Sequence, residues 1–273
     1  MLTNLDLVVA YARSGPEAAL ADTLAQLERE TGPKAEVAAV ERALRIAKRR
    51  VALVVALADL SAAWPLETVT RALSDFAGRA TDIAVTLHAR VLARTGAIAL
   101  TPGADLARSG IIILGMGKLG AHELNYSSDI DLVFFYDPEA LKAREPDRLR
   151  QQMVRLTQNT VSSLSQRTAD GYVFRTDLRL RPDPGATPAA VSILAAEVYY
   201  ETMGQNWERA AMIKARPAAA DRAAGDTFLA RLRPFVWRRN LDFNAIQDIH
   251  SIKRQINAHR GGSTIAVAGH NIK

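Results

Sequence analysis

Two aspartates mark the start of an otherwise apolar stretch of the chain. Asp129 and Asp131 flank Ile130, and Leu132-Val133-Phe134-Phe135-Tyr136 follows. Because strand side chains alternate between faces, a strand here places both carboxylates on one side. Paired like charges are costly unless a positive group lies between them, and a hard divalent cation with oxygen ligands is the natural candidate. The alternative is a turn-capping aspartate beside a solvent-facing one.

A third acid lies on a later stretch, Tyr172 to Leu180, whose residues alternate in polarity. As a strand, this stretch collects charged residues on one face, and these are Arg175, Asp177, Arg179 and Arg181. Arginine forks match phosphate oxygens. Together with the paired aspartates, this face indicates a two-metal phosphoryl-transfer site. A solvated sheet face is the alternative.

The segment Gly115 to Gly120, GMGKLG, follows the apolar run Ile111 to Leu114 and matches the G-x-G-x-x-G pattern of dinucleotide sites. Only nine residues separate Gly120 from Ile130. A parallel crossover needs a dozen or more residues, so the spacing disfavours a dinucleotide fold. The turn is instead predicted to cradle phosphates with its backbone N–H groups.

These residues resemble the nucleotidyltransferase superfamily that includes DNA polymerase beta, in which a Gly-Ser turn precedes Asp-x-Asp by about ten residues. Gly117-Lys118, ten residues and Asp129-Ile130-Asp131 match that spacing, with Lys118 in place of the serine. The serine hydroxyl of that superfamily contacts phosphate. In this chain the contact would come from Lys118, or from Ser127 and Ser128. The resemblance implies an α+β fold, with a polymerase beta-like mixed sheet flanked by N-terminal and C-terminal helical regions.

Four segments narrow the resemblance to the family of bifunctional glutamine synthetase adenylyltransferase/adenylyl-removing enzymes. They are GMGKLGAHELNYSSDIDLVFFY (115–136), RTDLRLRP (175–182), YYETMGQNWERAAMIKAR (199–216) and PFVWRRNLDF (234–243). ELNYSSDID and GQNWERAAMIKAR are similar to the N-terminal, adenylyl-removing half of that family. A single copy of the pattern is present, so we expect the chain to be a fragment of something longer.

The resemblance implies phosphorolysis, in which phosphate attacks adenylyl-tyrosine of glutamine synthetase and yields ADP and free tyrosine. Asp129, Asp131 and Asp177 would be the catalytic residues and would hold two Mg²⁺ ions. The residues implied for nucleotide and phosphate binding are Gly115, Gly117, Lys118, Ser127, Ser128, Arg179 and Arg181. The adenylylating direction with ATP, and a non-catalytic fragment that binds a partner, remain alternatives. A PII-type signalling protein is a further candidate partner.

Composition limits the other function classes. The chain has 273 residues, 48% of them hydrophobic, and no cysteine, which excludes disulfides and thiolate metal sites. The net charge of +6 suits an anionic ligand, but aromatic residues do not interleave with the basic ones, which disfavours nucleic acid. The longest apolar stretch, Val51 to Ala58, is too short to span a membrane, and the N-terminus lacks a signal-peptide pattern. We therefore expect a cytoplasmic protein.

Three regions follow from composition and periodicity: a helical region over 1–103, a nucleotidyltransferase domain over 104–220, and the start of a C-terminal helical region over 221–273. Helices are predicted over Pro16 to Thr31, Lys34 to Ala62 and Leu66 to Thr95. Further helices are predicted over 147–166, 195–214 and 221–259, and strands over 111–114, 130–136 and 172–180.

Overall fold

The computed structural model describes residues 4–96, 98, 106–142, 146–237 and 254. Its helices are α1 (Leu5–Glu30), α2 (Val37–Leu60), α3 (Leu66–Arg94), α4 (Gly117–Gly120), α5 (Pro146–Ser165), α6 (Ile193–Thr202), α7 (Asn206–Met212), α8 (Arg222–Arg231) and α9 (Arg233–Val236). Its strands are β1 (Ile111–Gly115), β2 (Ile130–Tyr136), β3 (Thr176–Asp177), β4 (Ala190–Ser192) and β5 (Arg216–Ala220). The predicted α+β class is confirmed. No helix in these ranges is long and apolar enough to cross a bilayer.

The strands form one mixed sheet in the order β3-β2-β1-β5, with β4 also paired to β2. Strand β1 is antiparallel to both β2 and β5, whereas β3 and β4 run parallel to β2. The glycine turn therefore joins two antiparallel neighbours. This connection rules out a parallel dinucleotide-binding crossover at GMGKLG, as the short spacing predicted.

The sheet is covered on both faces. Ile111 and Ile113 of β1 belong to a core that includes α2, α3 and α5, whereas Ile112 and Leu114 belong to a second core that includes α6 and α8. Strand β2 divides in the same way, with Phe134 in the first core and Phe135 in the second. Apolar residues at every position of β1 thus reflect a strand buried on both faces.

The predicted helices differ from the observed ones mainly at glycines. Helix α1 begins at Leu5 rather than Pro16, and a non-helical Gly15 with φ of 82° kinks it just before Pro16. The helix predicted over 195–214 divides into α6 and α7. Gly204 lies between them, where a Cβ atom would stand 2.5 Å from the Phe235 ring. Of the helix predicted over 221–259, the part from 238 onward lies outside the described residues, apart from residue 254.

Two strands were missed and one was overpredicted. The stretch predicted over 172–180 pairs with the sheet only at Thr176–Asp177. Strand β5, RPAAA, carries proline and alanine, which are poor strand formers, and pairing with β1 decides its conformation. The predicted boundary at residue 103 lies outside the described residues.

Gly120 is required by close backbone packing behind the turn. A Cβ atom at this position would lie 1.7 Å from the Lys214 carbonyl oxygen and 2.6 Å from that of Gly115. We expect Gly120→Ala to lower the free energy of unfolding by about 3 kcal/mol or more, because backbone rather than a flexible side chain must move. Gly32→Ala, whose nearest contact would be 3.9 Å away, is the matched control. Urea denaturation that gives equal values for the two variants would contradict this packing.

Candidate active site

Parallel pairing of β2 with β3 brings the three predicted acids together. Asp131 lies opposite Asp177 in the register, and neighbouring strands are about 4.8 Å apart. Asp129 precedes Asp131 by two residues. Burial raises the pKa of Asp131, and the negative charges of Asp177 and Asp129 raise it further. The two stretches of backbone thus converge on one acidic cluster.

Asp129 is held by an arginine from the stretch before β3. Arg175 donates from Nε to Asp129 Oδ1 at 2.5 Å and from a terminal nitrogen to the Ser127 carbonyl at 2.7 Å. The same guanidinium donates to the Tyr172 hydroxyl at 3.2 Å. Arg175 was placed on the face of Asp177 by alternation but was missed as a site residue. The sequence did carry a signal for this role, because Arg175 lies two residues before Asp177 on the predicted charged face.

Asp177 is held by Arg179. The Arg179 guanidinium donates to Asp177 Oδ2 from Nε at 2.9 Å and from a terminal nitrogen at 2.6 Å, and the Arg179 backbone N–H donates to Oδ1 at 2.8 Å. These hydrogen bonds lower the pKa of Asp177. The Arg179 side chain is 85% exposed, whereas that of Asp177 is 19% exposed. The pair therefore leaves a guanidinium at the mouth of the cluster.

Asp131 is the acid under the greatest electrostatic strain. Burial raises its pKa to about 6, and the charges of Asp177 and Asp129 act in the same direction. Arg179 and Lys118 oppose that shift. A buried carboxylate beside two others attracts a further cation.

The glycine turn lies against this carboxylate. The backbone N–H of Met116 donates to the Asp131 carbonyl at 2.9 Å. Gly117 has φ of 53°, and a Cβ atom there would lie 3.0 Å from Asp131 Oδ2. Glycine is needed both for the left-handed backbone and for this approach.

Lys118 and Ser128, two of the predicted phosphate-binding residues, contact each other at the same edge. Lys118 Nζ donates to Ser128 Oγ at 3.2 Å, and Ser128 Oγ donates to Asn125 Oδ1 at 2.5 Å. Ser127 is exposed, and its carbonyl is taken by Arg175. The structure thus places a lysine ammonium beside a serine hydroxyl near the acids.

Two other predicted residues serve local structure. Arg181 donates to the carbonyls of Leu178 at 3.0 Å and Pro184 at 2.7 Å within its own loop. Because β3 ends at Asp177, the strand alternation that put Arg181 on the acidic face does not extend to it. Gly115 is buried, and a Cβ atom there would lie 2.9 Å from Leu119 Cγ.

Carboxylate oxygens are the ligands that a hard cation prefers, but the carboxylates of Asp129 and Asp177 point toward arginines. Among the described residues, no three acidic or histidine side chains stand close enough as they are to hold an ion. Asp129 and Asp177 each face a guanidinium. Three carboxylates in this register are the donor chemistry that a hard divalent cation such as Mg²⁺ prefers, and exposed Arg179 occupies Asp177 in their place.

The start of the segment WERAAMIKAR (207–216) serves local structure, as the contacts of Glu208 and Arg209 show. Glu208 is 1% exposed and accepts from the Gln205 backbone N–H at 2.8 Å and the Tyr199 hydroxyl at 3.0 Å. Arg209 donates to the Phe235 carbonyl at 2.7 Å.

The raised pKa of Asp131 makes stability depend on pH. The folded chain binds this proton more tightly than the unfolded chain does, so its contribution to stability falls as pH rises from about 4 to 6. We expect Asp131→Asn, in EDTA, to be more stable than the parent above pH 6, with the gain disappearing toward pH 4. Urea denaturation of both proteins across this pH range measures the difference in their free energies of unfolding. Exposed Asp226→Asn is the control, and a pH-independent difference for Asp131→Asn would contradict the assignment.

Known proteins of one family match most of this chain. The sequence profile of the glutamate-ammonia ligase adenylyltransferase family matches residues 6–231. A bifunctional glutamine synthetase adenylyltransferase/adenylyl-removing enzyme of Rhizobium meliloti (strain 1021) is 55% identical over 231 residues, which are 84% of this chain and 23% of the relative. The relative of the same description from Rhodopseudomonas palustris (strain TIE-1) is 48% identical over 263 residues, 96% of this chain and 26% of the relative.

The chain therefore spans about a quarter of the length of the curated relatives it matches. The family profile covers the helices α1 to α3, the whole sheet and the acidic cluster. With an α+β fold, converging acids and about half its residues identical to those relatives, the chain belongs to the glutamate-ammonia ligase adenylyltransferase family.

Proposed function

We propose that this chain removes AMP from an adenylylated tyrosine of glutamine synthetase by phosphorolysis. An oxygen of inorganic phosphate attacks the phosphorus of adenylyl-tyrosine, the bond from phosphorus to the tyrosine oxygen breaks, and that oxygen takes up a proton. The products are ADP and free tyrosine. Support for the substrate comes from the names of the relatives, which are glutamine synthetase adenylyltransferase/adenylyl-removing enzymes.

The observation that carries the proposal is the pairing of Asp131 with Asp177 beside Asp129. Three carboxylates at one point serve a reaction in which negative charge accumulates on attacking and leaving oxygens. The phosphorolytic direction is favoured by ELNYSSDID and GQNWERAAMIKAR, which resemble the adenylyl-removing half of the family. The adenylylating direction would use the same carboxylates.

Mg²⁺ is the cofactor that the donor set suits, and Asp129, Asp131 and Asp177 would hold it. When bound, the metal would supply positive charge to the phosphoryl oxygens. Burial of Asp131 keeps its carboxylate in a setting where such charge acts strongly. This role explains why the chain tolerates three adjacent acids.

The chain's own cations would bind the phosphate groups. Arg179, at the mouth of the cluster, has the planar fork that matches phosphate oxygens once it leaves Asp177. Lys118 and Ser128 present an ammonium and a hydroxyl next to the glycine turn. The first amides of a helical turn lack intrahelical acceptors, so the N–H groups at Gly117 and Lys118 can bind a phosphate oxygen. Arg181 would act indirectly, by holding its loop.

The first test removes two of the carboxylates. Asp129→Asn combined with Asp131→Asn should lower phosphate-dependent ADP release from adenylylated glutamine synthetase by more than about 100-fold. Loss of a group that only supports a metal ligand already lowers activity by up to about 100-fold, and these carboxylates would be ligands themselves. Asp226→Asn is the matched control, and circular dichroism checks the fold of each variant. Undiminished ADP release by the double variant would refute the assignment of these acids.

The second test separates the two directions of transfer. With AMP-labelled glutamine synthetase and phosphate, we expect labelled ADP to appear in proportion to the enzyme. With unmodified glutamine synthetase and labelled ATP, without phosphate, no label should enter the protein. Incorporation without release would overturn the phosphorolytic direction. A PII-type protein added to either reaction tests whether such a partner acts on this chain.

The third test measures metal binding apart from activity. Mn²⁺, which prefers the same oxygen ligands, serves as a paramagnetic probe. We expect Arg179→Gln to bind Mn²⁺ more tightly than the parent, since Asp177 is no longer neutralised, and Asp131→Asn plus Asp177→Asn to lose the binding. Arg155→Gln, on the exposed side of α5, is the control. Weaker Mn²⁺ binding by Arg179→Gln would contradict competition between guanidinium and metal.

A further inference from the structure

A cavity separate from the acidic cluster lies between α1, α3 and β5. Its volume is about 590 Å³, within the range of small-molecule sites. Ala218 of β5 lines it and belongs to the core shared with α2 and α3, whereas Asp131 follows the strand alternation of Phe135, which belongs to the other core. The cavity is therefore on the opposite face of the sheet from the acidic cluster.

The charges that line this cavity do not balance. Four arginines, Arg71, Arg79, Arg216 and Arg222, face it with only two acids, Asp75 and Asp82. The difference of four minus two leaves two surplus positive charges. Such a surplus beside a concave surface attracts an anion.

Three of the lining charges already have charged or backbone partners. Arg79 forms an ion pair with Glu28 of α1. Asp82 accepts the backbone N–H of Ala220 at 2.7 Å, and Asp75 lies 3.2 Å from His122 Nδ1. These contacts hold the cavity walls together.

The other three arginines keep donors for a ligand. Arg222 donates one hydrogen bond, to the Ala218 carbonyl at 3.2 Å, and Arg216 donates to the carbonyls of Leu119 at 3.0 Å and Gly120 at 3.2 Å. Arg71 forms no hydrogen bond or ion pair within the described part of the chain, and its charge acts on Arg216. A guanidinium carries five N–H donors, so each arginine can also bind an anion.

The electrostatic setting of Arg216 agrees with an anion site. Burial lowers the pKa of Arg216; Asp75 opposes this, while Arg222 and Arg71 lower the pKa further. Arg71 and Arg222 thus add two like charges beside the half-buried guanidinium of Arg216, and an anion would relieve their mutual repulsion.

The remaining wall of the cavity is apolar and includes Leu20, Leu24, Trp64 and Phe76. An inorganic ion would leave this wall unfilled. A ligand with an apolar ring or chain beside its anionic group would contact both parts. The planar fork of arginine matches phosphate oxygens, and the charge of about −2 on a phosphomonoester matches the surplus of two positive charges better than a single carboxylate does.

We propose that the cavity formed by Arg71, Arg216 and Arg222 opposite Trp64 and Phe76 binds an organic phosphomonoester, at a site separate from the acidic cluster. Arg216 would contact this ligand, and it also donates to the carbonyls of Leu119 and Gly120 in the glycine turn. One residue would therefore link the ligand to the turn.

Isothermal titration calorimetry with phenyl phosphate in EDTA tests this proposal without relying on activity or metal. We expect phenyl phosphate to bind more tightly than inorganic phosphate, which lacks the ring. Arg71→Gln should weaken phenyl phosphate binding about tenfold or more, as expected for loss of a charge-assisted hydrogen bond. Asp75→Asn, which removes a like charge, should strengthen it.

Two control variants locate the binding. Arg155→Gln makes the same charge change on α5, and Arg179→Gln alters only the acidic cluster. Arg155→Gln should bind phenyl phosphate as the parent does, and Arg179→Gln should retain the binding that Arg71→Gln weakens. Binding that survives Arg71→Gln but is lost in Arg179→Gln would place the ligand at the acidic cluster and overturn the proposal, as would an absence of binding to the parent. Failure of ADP release from adenylylated glutamine synthetase would leave this result unaffected.

Discussion

Mutual repulsion of three carboxylates is the constraint on which the architecture of this site depends. The parallel register of β2 with a two-residue β3 sets Asp131 directly against Asp177. Buried like charges destabilise a fold unless they are neutralised, protonated or paired. In this chain the pKa of Asp131 is raised, and the guanidinium groups of Arg175 and Arg179 pair with Asp129 and Asp177. The acids therefore stay together through their counter-charges and the protonation of Asp131.

The two arginines hold the cluster differently. Arg175 also binds the Ser127 carbonyl, so it fastens the strand end as well as Asp129. Arg179 is highly exposed and binds its neighbour two residues away, a pair that solvent can open at little cost. One arginine therefore fixes the backbone, whereas the other can leave its carboxylate. A cation that replaces Arg179 would find the acids already assembled.

The glycine turn links both faces of the sheet. Gly117 lies against Asp131 on one side, and the carbonyls of Leu119 and Gly120 accept from Arg216 on the other. Gly120 in turn packs against the Lys214 carbonyl, so the residues just before β5 support the turn from behind. Hydrogen bonds from Met116 to the Asp131 carbonyl and from Arg216 to the turn carbonyls hold the backbone of the turn in place. Its glycines are required by close approach, which also explains their resemblance to a dinucleotide motif.

The sequence alone determined the parts that depend on local periodicity. The strands β1 and β2, the shared face of Asp129 and Asp131, and the long N-terminal helices all follow from apolar runs, alternation or helical spacing. Nine residues after Gly120 were enough to exclude a parallel crossover. Tertiary structure alone decided that β3 has two residues, that RPAAA forms a strand and that Arg175 binds Asp129. Pairing partners and counter-charges come from residues distant in the chain, and local pattern carries no information about which of them will meet.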